Sequence, residues 1–212
     1  MYEHIKFKNA INMRKANYDK FPSTKLTGML VQGWDSIISM LKEKMDARKV
    51  LAVDLYTGVY EEEVLDAFSK EFSGRVMNVR DLMKPEKEIQ ALTERFMTED
   101  VLFGSVTNLK LEDYLDADKV AAARKQISEA KETIVIIGTG AAVVAPQDAM
   151  VVYADMARWE IQQRFRRHEV KALGIDNRND AVSLQYKRGY FNDWRVCDRY
   201  KERLFDLSLI HI

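Results

Sequence analysis

The chain has 212 residues, 47% of them hydrophobic and 10% aromatic, with 33 basic side chains against 33 acidic. Such a composition builds one globular domain with a full core, and a formal charge of zero excludes bulk attraction to nucleic acid or to an anionic membrane. No run approaches the ~18 consecutive apolar residues of a membrane span. The opening residues MYEHIKFKNA lack the apolar centre of a signal peptide, and the single cysteine, Cys197, excludes an internal disulfide. A cytoplasmic protein is expected.

In chain order, residues 1–32 read as an extended arm, with Phe21 held extended by Pro22. After Gly33, Trp34, Ile37, Ile38 and Leu41 recur at helical spacing. Lys49–Asp54 is rich in branched apolar residues and predicts a strand, followed by a loop over Leu55–Gly58. A helix over Glu61–Phe72 turns Val64, Leu65 and Phe68 inward, and three glutamates in its first turn suit the positive end of the helix dipole. Arg75–Val79 predicts a second strand, and Pro85 opens a helix to Met97. Asp116–Ala130 predicts another helix. Glu132–Ile137 is continuous and apolar, as a strand covered on both faces must be, and Gly138-Thr-Gly140 ends it in a tight turn. Met150–Asp155 predicts a further buried strand, running into a helix from Met156 to about His168. From Asn179 the chain reads as a helical extension, with Leu184, Tyr190, Phe191, Trp194 and Val196 as packing residues.

This alternation predicts an α/β fold with a doubly wound, mostly parallel sheet over 33–178, and a helical extension over 179–206. Ligands of such sheets sit at the carboxyl ends of the strands. Three of those ends carry polar or glycine residues: Asp54 through Tyr56 to Gly58, Gly138 to Gly140, and Asp155. The first has the strand–loop–helix order of a phosphate-binding loop but lacks Gly-Lys-Ser/Thr, and its helix opens on acids that repel a triphosphate. A dead or repurposed loop is expected there.

Basic charge collects late in the chain. Between Arg158 and Arg203 there are twelve Lys/Arg against seven Asp/Glu. Arg158, Gln162 and Arg166 share a helical face at i, i+4 spacing, with Arg164 close by. Arginine forks suit phosphate oxygens, so these residues are candidates for a phosphorylated ligand, a phosphosugar or a nucleotide. Pairing with acids across an interface is the alternative. His4 and His168, far apart, and one cysteine offer no metal-ligand cluster, so neither a metal nor a cofactor is expected.

The last six residues, Leu207-Ser-Leu-Ile-His-Ile212, back-translate with permitted codons to CTG-TCT-CTT-ATA-CAC-ATC. That string resembles the transposon-end adaptor of sequencing libraries. A non-native tail at 207–212 is expected, on a gene fragment interrupted after Asp206, and His211 is set aside from any site.

The order of strands, loop and Arg-rich helix over 48–168 resembles the uridine-kinase-like branch of P-loop kinases. A second resemblance rests on Asn17-Tyr-Asp-Lys-Phe-Pro22, Val101-Leu-Phe-Gly104, Ile137-Gly-Thr-Gly-Ala-Ala142, Tyr153-Ala-Asp-Met-Ala-Arg-Trp-Glu-Ile-Gln162 and Tyr186-Lys-Arg-Gly-Tyr-Phe191. Those segments resemble the N-terminal extension of long bacterial class I mannose-6-phosphate isomerase-like proteins. The resemblance implies a parent whose zinc-dependent cupin domain, C-terminal to this region, interconverts mannose 6-phosphate and fructose 6-phosphate. It implies zinc in that missing part, and an accessory, structural or ligand-sensing role for the present chain beside its intramolecular cupin partner. A divergent small-molecule phosphotransferase, with Asp54 or Asp155 handling magnesium, and a pure protein-interaction module are the other readings.

Overall fold

A computed structural model describes residues 30–45, 47–205 and 210–211, with the single positions 23, 25 and 28. The predicted arm lies almost wholly outside these residues, as does most of the 207–212 tail. The chain divides into residues 1–31 and 32–212, and the fold described is that of the second unit.

Four parallel strands form the centre of the sheet. In chain order they are β1 (Val50–Leu55), β2 (Arg75–Asn78), β3 (Ile134–Gly138) and β4 (Met150–Ala154). Their spatial order is β2-β3-β1-β4, and a two-residue strand β5 (Ile210–His211) adds to the β4 edge. Val50 pairs with Ile134 and Leu51 with Met150, so β1 is flanked on both sides. Every residue of β1 and β3 is buried, which explains why both read as unbroken apolar runs.

Alternate side chains of the central strands enter two different cores, as a period of two requires. Leu51, Val53, Val135 and Ile137 pack with Ile38 and Leu41 of α1 (Trp34–Met45) and with Val64 and Phe68 of α2 (Glu61–Glu71). Val50, Ala52, Ile134 and Ile136 face the larger core. That core takes Ile89 and Phe96 from α3 (Glu86–Met97), and Val120 and Ile127 from α4 (Ala117–Glu129). Ile161 and Phe165 of α6 (Arg158–Arg166) and Trp194, Val196 and Tyr200 of α8 (Trp194–Phe205) complete it. The sheet is therefore covered on both faces, the α/β arrangement that the alternation of elements predicts.

Three local expectations change. Gly140 is followed by one helical turn, α5 (Ala141–Val144), before Pro146. Gly140 adopts φ +96, a left-handed conformation that glycine supplies without strain, and this lets the chain reverse into that turn. The helix expected from Met156 begins two residues later, at Arg158. The extension expected from Asn179 starts at Val182 with α7 (Val182–Arg188) and widens into a π-helical segment at Gly189–Asp193 before α8.

The side chains that go inside differ from those expected. Trp194 and Val196 are buried, but Leu184 and Tyr190 are exposed. Gln185, Lys187, Arg188, Asn192 and Asp193 are buried in their place. A regular 3.6-residue period, the basis of the packing expectation, does not hold through a segment bonded from i to i+5.

Candidate functional site

The carboxyl edge of the sheet brings the ends of β1, β2 and β3 together. Asp54, at the end of β1, is fully buried and does not face the loop that follows it. Its carboxylate instead crosses to the neighbouring strand's loop. There it accepts hydrogen bonds from the Gly140 N–H at 3.1 Å and the Ala142 N–H at 2.9 Å, and from the Tyr200 hydroxyl of α8 at 2.5 Å. Burial pushes the Asp54 carboxyl up to about 6, against the opposing pull of those three donors. Asp54 thus ties β1, the β3 loop and α8 into one unit. All the oxygens that a magnesium ion or a substrate hydroxyl would need are engaged within the protein.

The loop after β1 runs through Tyr56, Thr57 and Gly58 to the first turn of α2. Gly58 sits at φ +93, and a Cβ there would lie 2.8 Å from the Ile161 side chain, so both conformation and space require glycine. Arg164 fastens this loop: its Nη1 donates to the Gly58 carbonyl at 2.8 Å, and its guanidinium lies 3.6 Å from the centre of the Tyr60 ring. The Tyr60 hydroxyl donates to Glu169 at 2.5 Å.

Beside this loop opens a cavity of about 160 Å3, bounded by Gly58, Asn78, Thr139 and the segment 169–173. Three cations border it: Arg80 just past β2, Lys171, and Arg178. Each has a carboxylate partner of this chain. Arg80 Nε lies 3.2 Å from Glu61, Lys171 Nζ 3.1 Å from Glu62, and Arg178 Nη2 2.7 Å from Asp176. Glu61 and Glu62 are the first two residues of α2, so acids occupy the helix start, with their charge answered from across the cavity. The hydrogen bond and charge of Lys171 hold Glu62 below the usual carboxylate range.

The remaining sequence candidates are placed elsewhere. Tyr56 donates its hydroxyl to Asp198 at 2.7 Å, and Arg158 binds the other oxygen of Asp198 while lying over the Trp194 ring. Asp155 pairs with Lys201 of α8. Arg166 is exposed and, among the described residues, donates to Gln163 at 3.4 Å. The expected phosphate-facing set of Arg158, Arg164 and Arg166 therefore does not converge. Arg158 and Asp155 staple α8 to β4 and α6, Arg164 holds the loop, and Arg166 faces outward. The physical reason is that Arg164, six positions after Arg158, lies about 120° away around the helix, while Arg158 and Arg166 share a face but stand about two turns apart, and Asp198 holds Arg158.

Arg80, Lys171 and Arg178 were not among the sequence candidates. Arg80 could have been found, since it follows the predicted β2 and strand ends are where ligands sit. Lys171 and Arg178 lie in an irregular segment with no periodicity, and only the tertiary fold brings them to the cavity. Among the described residues, no group of three or more His, Cys, Asp or Glu side chains is placed to hold a metal ion, and no helix is long and apolar enough to cross a membrane. Cys197 is buried in the core, and its thiol is pushed well above its ordinary range by that burial.

No curated protein matches the chain. Among solved structures it is similar to a gluconokinase from Sinorhizobium meliloti 1021, at 11% identity over 77% of this chain and 81% of that one, with a TM-score of 0.40. A match to the family described as "Domain of unknown function (DUF8485)" spans residues 33–210, from the first helix to the edge strand. The doubly covered parallel sheet and its acid-filled carboxyl edge are thus features of a member of that family, to which this chain belongs.

Proposed function

We propose that this domain is a P-loop-kinase-like accessory module that senses a small phosphorylated ligand without transferring its phosphate. The observation that carries the reading is the convergence of Arg80, Lys171 and Arg178 on one cavity at the carboxyl edge of the sheet, where Gly-Lys-Ser/Thr is lacking. Glu62, the partner of Lys171, has a side chain 81% exposed. A pair of that kind is worth about 0–1 kcal/mol, so a phosphate can take the place of the glutamate.

The size and charge of the cavity favour a short ligand. Its volume of about 160 Å3 is below the roughly 300–1,000 Å3 of a drug-sized pocket. Glu61, Glu62 and Glu63 repel a polyphosphate chain lying over the start of α2. A sugar phosphate meets both conditions better than a nucleoside triphosphate. The engagement of Asp54 with backbone amides and of Asp155 with Lys201 speaks against a phosphotransferase that uses either for magnesium. The parent suggested by the sequence resemblance, a mannose-6-phosphate isomerase-like protein with its own zinc-dependent cupin domain, supplies a setting in which such sensing is useful.

Isothermal titration of mannose 6-phosphate and fructose 6-phosphate tests the reading. The wild type is expected to bind at least one of them. Lys171→Ala should weaken that binding by about tenfold or more, the loss of one charge-assisted contact. Incubation with radiolabelled ATP and magnesium should transfer no phosphate. Binding of none of these ligands would leave a pure interaction module as the better reading, and a phosphorylated product would establish the phosphotransferase.

A further inference from the structure

Residues 98–112 run alongside α7, the π-helical segment and α8, in the same direction and held at several points. Lys187 donates to the carbonyls of Thr98 and Asp100, and the Thr107 N–H donates to the Phe191 carbonyl at 2.9 Å. Farther on, Arg199 donates to the Leu109 carbonyl at 2.6 Å, and Arg203 pairs with Glu112. Within this run Val101, Leu102, Phe103 and Val106 are 56–74% exposed. Gly104 packs on the Phe191 ring, and the exposed Tyr190 ring lies edge-on to that same ring at 4.9 Å. Three consecutive apolar side chains in water, with two more beside them, mark an interaction surface.

The loop that carries them is firmly built. Asp100 Oδ1 accepts from the Leu102 and Phe103 N–H groups, each at 2.7 Å, and these bonds hold its carboxyl below the ordinary range. The Thr98 hydroxyl donates to the Phe103 carbonyl at 2.6 Å, and the Ser105 N–H to the Phe96 carbonyl at 2.8 Å. Thr98 is kept at φ +49, a costly conformation for a branched residue. Side chains displayed on so fixed a loop lose little freedom when a partner covers them.

Charge is ordered along the patch. Glu99 and Asp100 are exposed at one end, beside Lys187. Lys110, Arg195 and Arg199 stand toward the other, Arg195 roughly 10 Å beyond Lys187 along the helix. Arg95, on α3, lies over the Phe96 ring. A two-fold axis in the plane of contact, set across this line, brings the patch onto itself with its ends reversed. The acids of one copy then face the cations of the other, and the apolar centres meet. An anionic membrane is disfavoured, because Glu99 and Asp100 flank the residues that would enter it.

We propose that Val101–Val106 and Tyr190 form a self-association face, on which a second copy of this chain docks with its ends reversed. This face is separate from the Arg80–Lys171–Arg178 cavity and does not depend on the reading given to it.

Sedimentation velocity of the full chain over about 1–100 µM tests the proposal, and a reversible monomer–dimer equilibrium is expected in that range. Phe103→Asp and Leu102→Asp, at exposed positions that leave the core intact, should each weaken association by about tenfold or more. Glu99→Lys and Lys110→Glu should each self-associate more weakly than the wild type, since each sets like charges against each other. Mixed in equal amounts, these two variants should form a heterodimer, because their ends are again opposite in sign. A chain that stays monomeric up to about 100 µM, a Phe103→Asp variant that dimerises like the wild type, or a mixture no better than its components would each overturn the proposal. A monomer that co-sediments with phosphatidylcholine vesicles would overturn it in favour of a lipid surface.

Discussion

The loops after β1 and β3 end side by side, each with glycine at a left-handed position, and each leads into a helix whose start is met by carboxylates of this chain. They differ in which carboxylates those are. After β3, the start of α5 is held by Asp54, fully buried and fixed by three donors from two other elements. After β1, the start of α2 carries its own Glu61 and Glu62, half-buried and exposed, each held by one cation across a cavity. A buried carboxylate cannot leave without stranding its donors, whereas a solvated one exchanges at little cost. The β3 loop is therefore structural, and the β1 loop is the one at which a ligand can compete.

That contrast can be broken first at Asp54. At pH 4, Asp54→Ala should destabilise the fold by about 3 kcal/mol, since it strands Gly140, Ala142 and Tyr200. The carboxyl sits at about 6 in the folded protein against 3.8 ordinarily. The folded state therefore holds its proton more tightly than the unfolded chain. The stabilisation this provides is complete below about pH 4 and is lost as pH rises through 6, on the order of 2–3 kcal/mol in all. The cost of Asp54→Ala should shrink over the same window, as read by urea unfolding at several pH values. A cost that grows with pH would show that the carboxylate, not the acid, is the stabilising form.

Gly58→Ala should cost about 2 kcal/mol, from the strain of φ +93 and the contact with Ile161, and should disturb ligand binding with it. Tyr200→Phe removes one donor from Asp54 and should cost about 1 kcal/mol. The smallest effect on stability sharpens the comparison most. Lys171→Ala should change the unfolding midpoint by less than about 0.5 kcal/mol while weakening sugar phosphate binding. If Lys171→Ala destabilised the fold as much as Asp54→Ala, the two loops would not differ as described.

Much of the layout was legible before any coordinates. The strands β1, β3 and β4 are short, apolar and continuous because both sheet faces are covered, and that pattern survives in a single sequence. The inward stripes of α1 and α2 and the bounds of α3 and α4 show equally plainly. The missing Gly-Lys-Ser/Thr after β1 and the glutamates that follow it could be read directly, and they carry half of the functional argument.

The partners of those residues could not be read. Arg164 looked like a phosphate ligand and instead clamps the Gly58 carbonyl, because α6 packs its Ile161 and Phe165 into the core and so fixes where the arginine points. The π-helical segment has no periodic signature, and it lies where Tyr190 is outside and Asn192 and Asp193 are inside. By itself the sequence determined the alternating α/β order and the absence of Gly-Lys-Ser/Thr after β1, since both are written in local spacing and residue type. Which cations border the β1 cavity, and that Asp54 serves the β3 loop 86 residues away, was decided only by tertiary structure. Charge pairing depends on distance in space, and nothing along the chain encodes that distance until the sheet has set its strand order.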